Sequence, residues 1–182
     1  MEEKTSTHIN SCSFAGLRPF VADLPNPPVA VKEKNLAYAN LLSVDYCGFV
    51  SELSAITQYI NNENRLSLHH CSVARTLLGI AMAEMMHLQT LGELIVLLGG
   101  SIDYVAKLKN GERRMWTPNY LTLTDCPRKM LADEIEAEKN AIAQYQLHIS
   151  MIEDECVNAV LARIIEDETY HIALLKALQK EF

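Results

Sequence analysis

The sequence predicts an all-α fold, a four-helix bundle built from two helical hairpins joined by a long crossover. Two matched stripes carry this expectation. Leu77, Ile80, Glu84, His87 and Leu91 recur as Leu161, Ile164, Glu168, His171 and Leu175, 84 residues later. At about 100° per residue, each set falls on one helix face. A second match pairs Glu52-Leu-Ser-Ala-Ile-Thr-Gln-Tyr59 with Glu138-Lys-Asn-Ala-Ile-Ala-Gln-Tyr145, at an offset of 86 residues. Two copies are too few for a solenoid and fit a pseudo-twofold bundle. The third observation is composition: 182 residues, 49% hydrophobic, with only seven glycines and six prolines, suit one domain of long helices.

Residues 1–34 are polar and then punctuated by Pro19, Pro25, Pro27 and Pro28, which excludes a continuous helix and predicts an extended arm lying over the body or reaching a second subunit. Residues 35–182 are expected to form the bundle. Leu41, Leu42, Phe49, Leu53 and Ile56 predict a first helix from about Asn35 to Ile60. Asn61-Asn62-Glu63-Asn64 reads as a loop. A second helix is expected from about Ser67 to Leu98, stopped by Gly99-Gly100.

The crossover, about 99–126, is far longer than the usual helix-to-helix connection and can travel the height of a bundle. Within it Asn110-Gly111 and Thr117-Pro118-Asn119 are turn signals, and Tyr120 to Thr124 alternates as a short extended piece would. Trp116, the only tryptophan, is expected to pin it to the body. A third helix, with Thr124 or Asp125 as N-cap and Pro127 in its first turn, runs to about Met151. Glu153-Asp154-Glu155 turns the chain into a fourth, from about Cys156 to Gln179.

A net charge of -7 with no basic block beyond Arg113-Arg114 argues against a nucleic-acid surface. Glu84, His87 and Glu93 interrupt the best apolar run, so no membrane span is expected. The N-terminus lacks the basic start and apolar run of a secretory signal. Five scattered cysteines without any Cys-x-x-Cys read as reduced thiols of a cytoplasmic protein.

The chemistry lies in the stripes. A carboxylate and an imidazole on an apolar face need partners. Folding the hairpins together brings Glu52, Glu84, Glu138 and Glu168 with His87 and His171 to the bundle centre. Four close carboxylates cannot all ionise in a low-dielectric core, whereas two divalent cations balance their charge and engage both histidines.

This pattern, one Glu on each of two helices and Glu-x-x-His on the other two, resembles the ferritin-like di-iron and di-manganese carboxylate proteins. The resemblance covers about residues 35–180, and Glu-x-x-Ala-x-x-x-Tyr looks most like the rubrerythrin and manganese-catalase branch. It implies two ions, Fe or Mn, with Glu52 and Glu138 as ligands, one or both bridging. Glu84 with His87, and Glu168 with His171, complete the sites. Tyr59 and Tyr145 are implied to hydrogen-bond carboxylate ligands. Ala55 and Ala141 leave space for a diatomic-sized substrate. Glu134, one turn before Glu138, is either an extra ligand or, preferably, a solvated helix-start carboxylate. Glu166 and Asp167 are expected to face water, and His8, His69, His70 and His148 to be ordinary histidines.

The resemblance further implies an oxidoreductase consuming hydrogen peroxide or dioxygen, because two redox ions can pass the two electrons that O–O cleavage needs. As a peroxidase it would need an external, rubredoxin-like donor; as a catalase it would need none. Iron binding and storage with ferroxidase activity, and a structural protein with a vestigial site, are the alternatives. A homodimer or higher homo-oligomer is the expected assembly.

Overall fold

The first predicted helix is two. In the computed structural model, which describes residues 12–182, α1 (Leu36–Cys47) ends at Gly48, and α2 (Glu52–Leu66) begins after Ser51. Gly48 N–H closes α1 on Val44 O, while Ser51 caps α2 by accepting from Ser54 N–H and donating to Gly48 O. Glu52 is thus the first residue of a helix and not the middle of one.

The expected loop at 61–64 is absent, and α2 runs to Leu66. Asn62 is buried and donates to Glu134 Oε1 at 2.8 Å, so a tertiary partner outweighs the local turn preference of the asparagines. The next helix, α3 (Cys71–Leu97), starts four residues later than expected. Helix α4 (Pro127–Ile149) has Pro127 as its first residue, as anticipated, but its N-cap is Cys126, which makes no side-chain cap bond. Asp125 is instead paired with Arg65. Asp154 caps α5 (Glu155–Leu178) by accepting from Cys156 and Val157 N–H.

Helices α2 to α5 form the bundle, with α1 continuing its first leg beside α3. Its apolar residues fall into two clusters. One holds Leu42, Leu91, Leu94, Leu98, Leu161 and Ile164; the other holds Leu77, Ile80, Met130, Leu131 and Leu175. Helices α3 and α5 contribute to both, and each carries its Glu-x-x-His between the two contributions. The polar layer is therefore sealed by hydrocarbon above and below.

The crossover contains a hairpin, β1 (Val105–Lys107) against β2 (Arg113–Met115), turned through Asn110 and Gly111, whose φ of +83° suits glycine. Tyr120 to Thr124 forms no strand; a 3-10 turn occupies Pro118–Tyr120. Trp116 does pin the crossover: it packs on the core and donates from Nε1 to Ser54 Oγ at 3.0 Å.

Residues 12–34 lie over the body, along α3 and α5, with Phe20 N–H donating to Gly79 O and Lys32 N–H to Asp154 Oδ2. Cys12 and Cys71 are joined as a disulfide with Cα atoms 5.3 Å apart. This corrects the expectation of five reduced thiols, because the arm folds back to bring together two cysteines 59 residues apart in the chain. It also removes that argument for a cytoplasmic location. His8 lies outside the described residues. By length and composition α3 is apolar enough to cross a membrane; here Leu77, Ile80, Leu91 and Leu94 are fully buried inside the bundle.

Candidate metal centre

Four helices deliver six side chains to one layer. Glu52 comes from the first turn of α2, Glu84 and His87 from mid-α3, Glu138 from α4, and Glu168 and His171 from α5; all six are buried. Their donor atoms form two groups of four, each within a 4.8 Å span: Glu52, Glu84, His87 and Glu168, then Glu84, Glu138, Glu168 and His171. The shared members are Glu84 and Glu168. Helices α3 and α5 place these two carboxylates centrally, whereas Glu52 and Glu138 each reach one group.

The distances repeat this symmetry. Glu84 turns Oε2 to His87 Nδ1 at 3.1 Å and Oε1 to His171 Nδ1 at 3.0 Å. Glu168 turns Oε1 to His87 Nδ1 at 3.5 Å and Oε2 to His171 Nδ1 at 2.9 Å. Glu52 lies 3.6 Å from His87 Nδ1, and Glu138 lies 3.5 Å from His171 Nδ1. Despite these separations, Glu84 Oε1, Glu168 Oε2 and His171 Nδ1 are buried without any hydrogen bond. Buried polar atoms that converge without bonding one another suit a cation placed among them.

Charge is strained accordingly. Burial, reinforced by Glu84, pushes Glu52 well above the usual carboxylate range. Burial with Glu168 and Glu84 nearby pushes Glu138 up to about 8. Burial alone would also raise Glu84, but the adjoining Glu52 carboxyl and the His171 and His87 imidazoles hold it well below. Burial would lower both histidines, yet surrounding carboxylates keep them well above the ordinary imidazole value, Glu168 and Asp167 acting on His87 and Glu138, Glu168 and Glu84 on His171.

Around this layer, Tyr59 OH donates to Glu138 and Tyr145 OH to Glu52. Burial, then the adjacent carboxylates, keeps both phenols well above their ordinary value, so they remain donors. Asp167, expected in water, is buried and bonds His87 Nε2 at 3.0 Å; only Glu166 is exposed. His171 Nε2 bonds Phe20 O at 2.8 Å. Periodicity missed Asp167 because its partners, Arg163 and the arm, come from outside the stripe. His148 is a buried partner of Asp45 at 2.7 Å.

Glu134 is buried, not solvated, and belongs to neither group of four. With Ala55 and Ala141 it lines a cavity of about 260 Å³ between α2 and α4, which reaches Glu52, Glu84, Glu138 and Glu168. Phe49 and Tyr120, edge to face at 5.5 Å, also line it. The two alanines thus border open space, as the sequence led one to expect, although the cavity exceeds a diatomic molecule.

Comparison with known proteins identifies relatives of this chain and of its fold. A probable manganese catalase from Clostridium acetobutylicum is 27% identical over 170 residues, covering 84% of this chain and 75% of that protein. Two crystal structures of KatB, a manganese catalase from Anabaena, superpose with TM-scores of 0.74 and 0.73 at 24% and 26% identity, covering 88% of this chain and 80% of theirs. Mycobacterium tuberculosis bacterioferritin BfrA shares the fold at a TM-score of 0.67 and 20% identity, with 81% of this chain and 87% of that one covered. The rubrerythrin family model matches residues 47–179. A ferritin-like bundle with a doubled carboxylate-histidine layer, matched over most of its length by that model, belongs to the rubrerythrin family.

Proposed function

We propose that this protein disproportionates hydrogen peroxide at two manganese ions held by Glu52, Glu84, His87, Glu138, Glu168 and His171. The observation that carries the reading is the pair of four-residue groups sharing Glu84 and Glu168. Each shared carboxylate offers one oxygen to each side, and one histidine closes each side. The donor set of carboxylates and imidazoles suits manganese and iron alike; the manganese-catalase relatives favour manganese.

When bound, the two ions supply a two-electron couple, so that one peroxide is reduced to two waters and a second is oxidised to dioxygen. The chain's own residues admit peroxide, keep bulk water out and handle protons. The cavity past Ala55 and Ala141 is the entry path. Burial, then Glu138 nearby, holds the Glu134 carboxyl well above the usual range. Glu134 faces the cavity, oriented by Asn62, as the carboxyl nearest the path to the layer that can exchange protons with entering peroxide. Tyr59 and Tyr145 fix the outer carboxylates. The protein is further proposed to act as a homo-oligomer, since Met85, Met86, Val96 and Leu97 leave an apolar outer face on α3.

The test is oxygen evolution by the purified, manganese-loaded protein given peroxide and no donor. Steady evolution, lost in a Glu84→Gln variant, supports the reading. Absence of oxygen together with peroxide-dependent oxidation of reduced rubredoxin would replace it with a peroxidase, the second reading that membership of the rubrerythrin family favours.

A further inference from the structure

We propose that residues 12–24, stapled to the body by the Cys12–Cys71 disulfide, are the positioning element for both histidines of the metal layer. The inference rests on the ligand reading above and concerns what holds those ligands. Both imidazoles present Nδ1 to the carboxylates and Nε2 outward. The arm meets both outward nitrogens. Phe20 O accepts from His171 Nε2–H directly, at 2.8 Å. His87 Nε2–H donates to Asp167 Oδ2 at 3.0 Å, and Asp167 Oδ1 accepts from Ala22 N–H at 2.6 Å.

The arm is gripped at Ala22 through both its N–H and its C=O. Arg163 donates from Nη2 to Ala22 O at 3.0 Å and lies 2.7 Å from Asp167 Oδ1 through Nη1, so one residue ties the arm to the carboxylate behind His87. Two residues earlier, Phe20 N–H donates to Gly79 O at 3.0 Å, and the Phe20 ring covers Gly79. A Cβ on Gly79 would stand 2.7 Å from Phe20 Cδ2, so the glycine is what lets the ring sit down on α3. The disulfide fixes the arm's far end to the first residue of α3.

A hydrogen-bond acceptor behind an imidazole fixes ring orientation and leaves the opposite nitrogen's lone pair for metal. Here the acceptors are a backbone carbonyl of the arm and a carboxylate that the arm orients. Displacing the arm therefore frees the His171 ring and loosens the carboxylate behind His87, leaving the six side chains of the layer in place.

Two variants displace it from different ends. Gly79→Ala drives the Phe20 ring off α3, and alanine favours the helix, so α3 itself is not weakened. Cys12→Ser with Cys71→Ser removes the staple far from the metal layer. Two readouts are taken, with circular dichroism confirming native helix content. In metal-free protein, the His171 Nε2–H resonance is expected to exchange slowly in wild type and at least tenfold faster in both variants. Manganese affinity, titrated with Mn2+ alone, is expected to fall about 10- to 100-fold. Wild-type exchange and wild-type affinity in both folded variants would overturn the proposal. If wild type takes up no manganese while the variants still release the Nε2–H, the ligand reading fails and the positioning role stands. If Gly79→Ala does not fold, the double cysteine variant decides alone.

Discussion

Tyr59 and Tyr145 exchange carboxylates across the bundle: Tyr59, on the Glu52 helix, donates to Glu138, and Tyr145, on the Glu138 helix, donates to Glu52. The two hairpins are thus cross-tied through the residues they duplicate. Replacing either tyrosine by phenylalanine leaves a buried carboxyl without its donor, at a cost of about 1–3 kcal/mol. Urea denaturation of metal-free Tyr59→Phe and Tyr145→Phe checks this, and similar losses in the two variants are expected from the symmetry.

Sharing of Glu84 and Glu168 predicts unequal stoichiometries. Glu84→Gln removes a carboxylate from both groups and is expected to abolish binding of both ions. Glu52→Gln or Glu138→Gln touches only one group and is expected to leave one ion bound. Elemental analysis after dialysis distinguishes these outcomes; equal loss in all three variants would contradict the shared arrangement.

Metal-free protein should lose stability as pH rises. Glu138, raised to about 8, and Glu52 and Glu134, raised well above the usual range, all bind protons more tightly folded than unfolded. The histidines are raised as well. Their stabilisation is complete below the unfolded values and is lost as pH passes the folded ones. Glu84, lowered, acts in the opposite sense only below about pH 4.5. The melting temperature of the metal-free protein is therefore expected to fall from about pH 5 to pH 8, and manganese should abolish most of that slope, because bound cations favour the ionised carboxylates.

Filling the cavity should slow turnover without removing metal. Ala55→Leu with Ala141→Leu puts two isobutyl groups into the space that reaches the carboxylates. The expected effect is a drop in kcat/KM for peroxide of about tenfold or more, equivalent to about 1.4 kcal/mol of barrier, with manganese content unchanged.

Much of this was readable from spacing. Identical offsets placed Glu84, His87, Glu168 and His171 on buried stripes, and a matched octapeptide placed Glu52, Tyr59, Glu138 and Tyr145 one layer apart. What spacing could not supply was local capping and whatever is decided by contacts distant in the chain. Gly48 and Ser51 break the first helix through their own local cap bonds, but apolar periodicity runs straight across them. Asn62 is helical because Glu134 awaits it 72 residues later. Asp167 sits beside Glu168 off the apolar stripe, and only the folded chain brings Arg163 and Ala22 N–H to it. The Cys12–Cys71 pairing depends on the path of an arm that has no periodicity to read.

The backing of the two histidines breaks the symmetry that the duplicated sequence sets up. Behind His87 stands a carboxylate, Asp167; behind His171 stands a neutral carbonyl, that of Phe20. An imidazole donating to an anion is the more basic ligand. The two halves of the layer are thereby backed unequally, and manganese titration is expected to show two steps, with the half that holds His87 filling first.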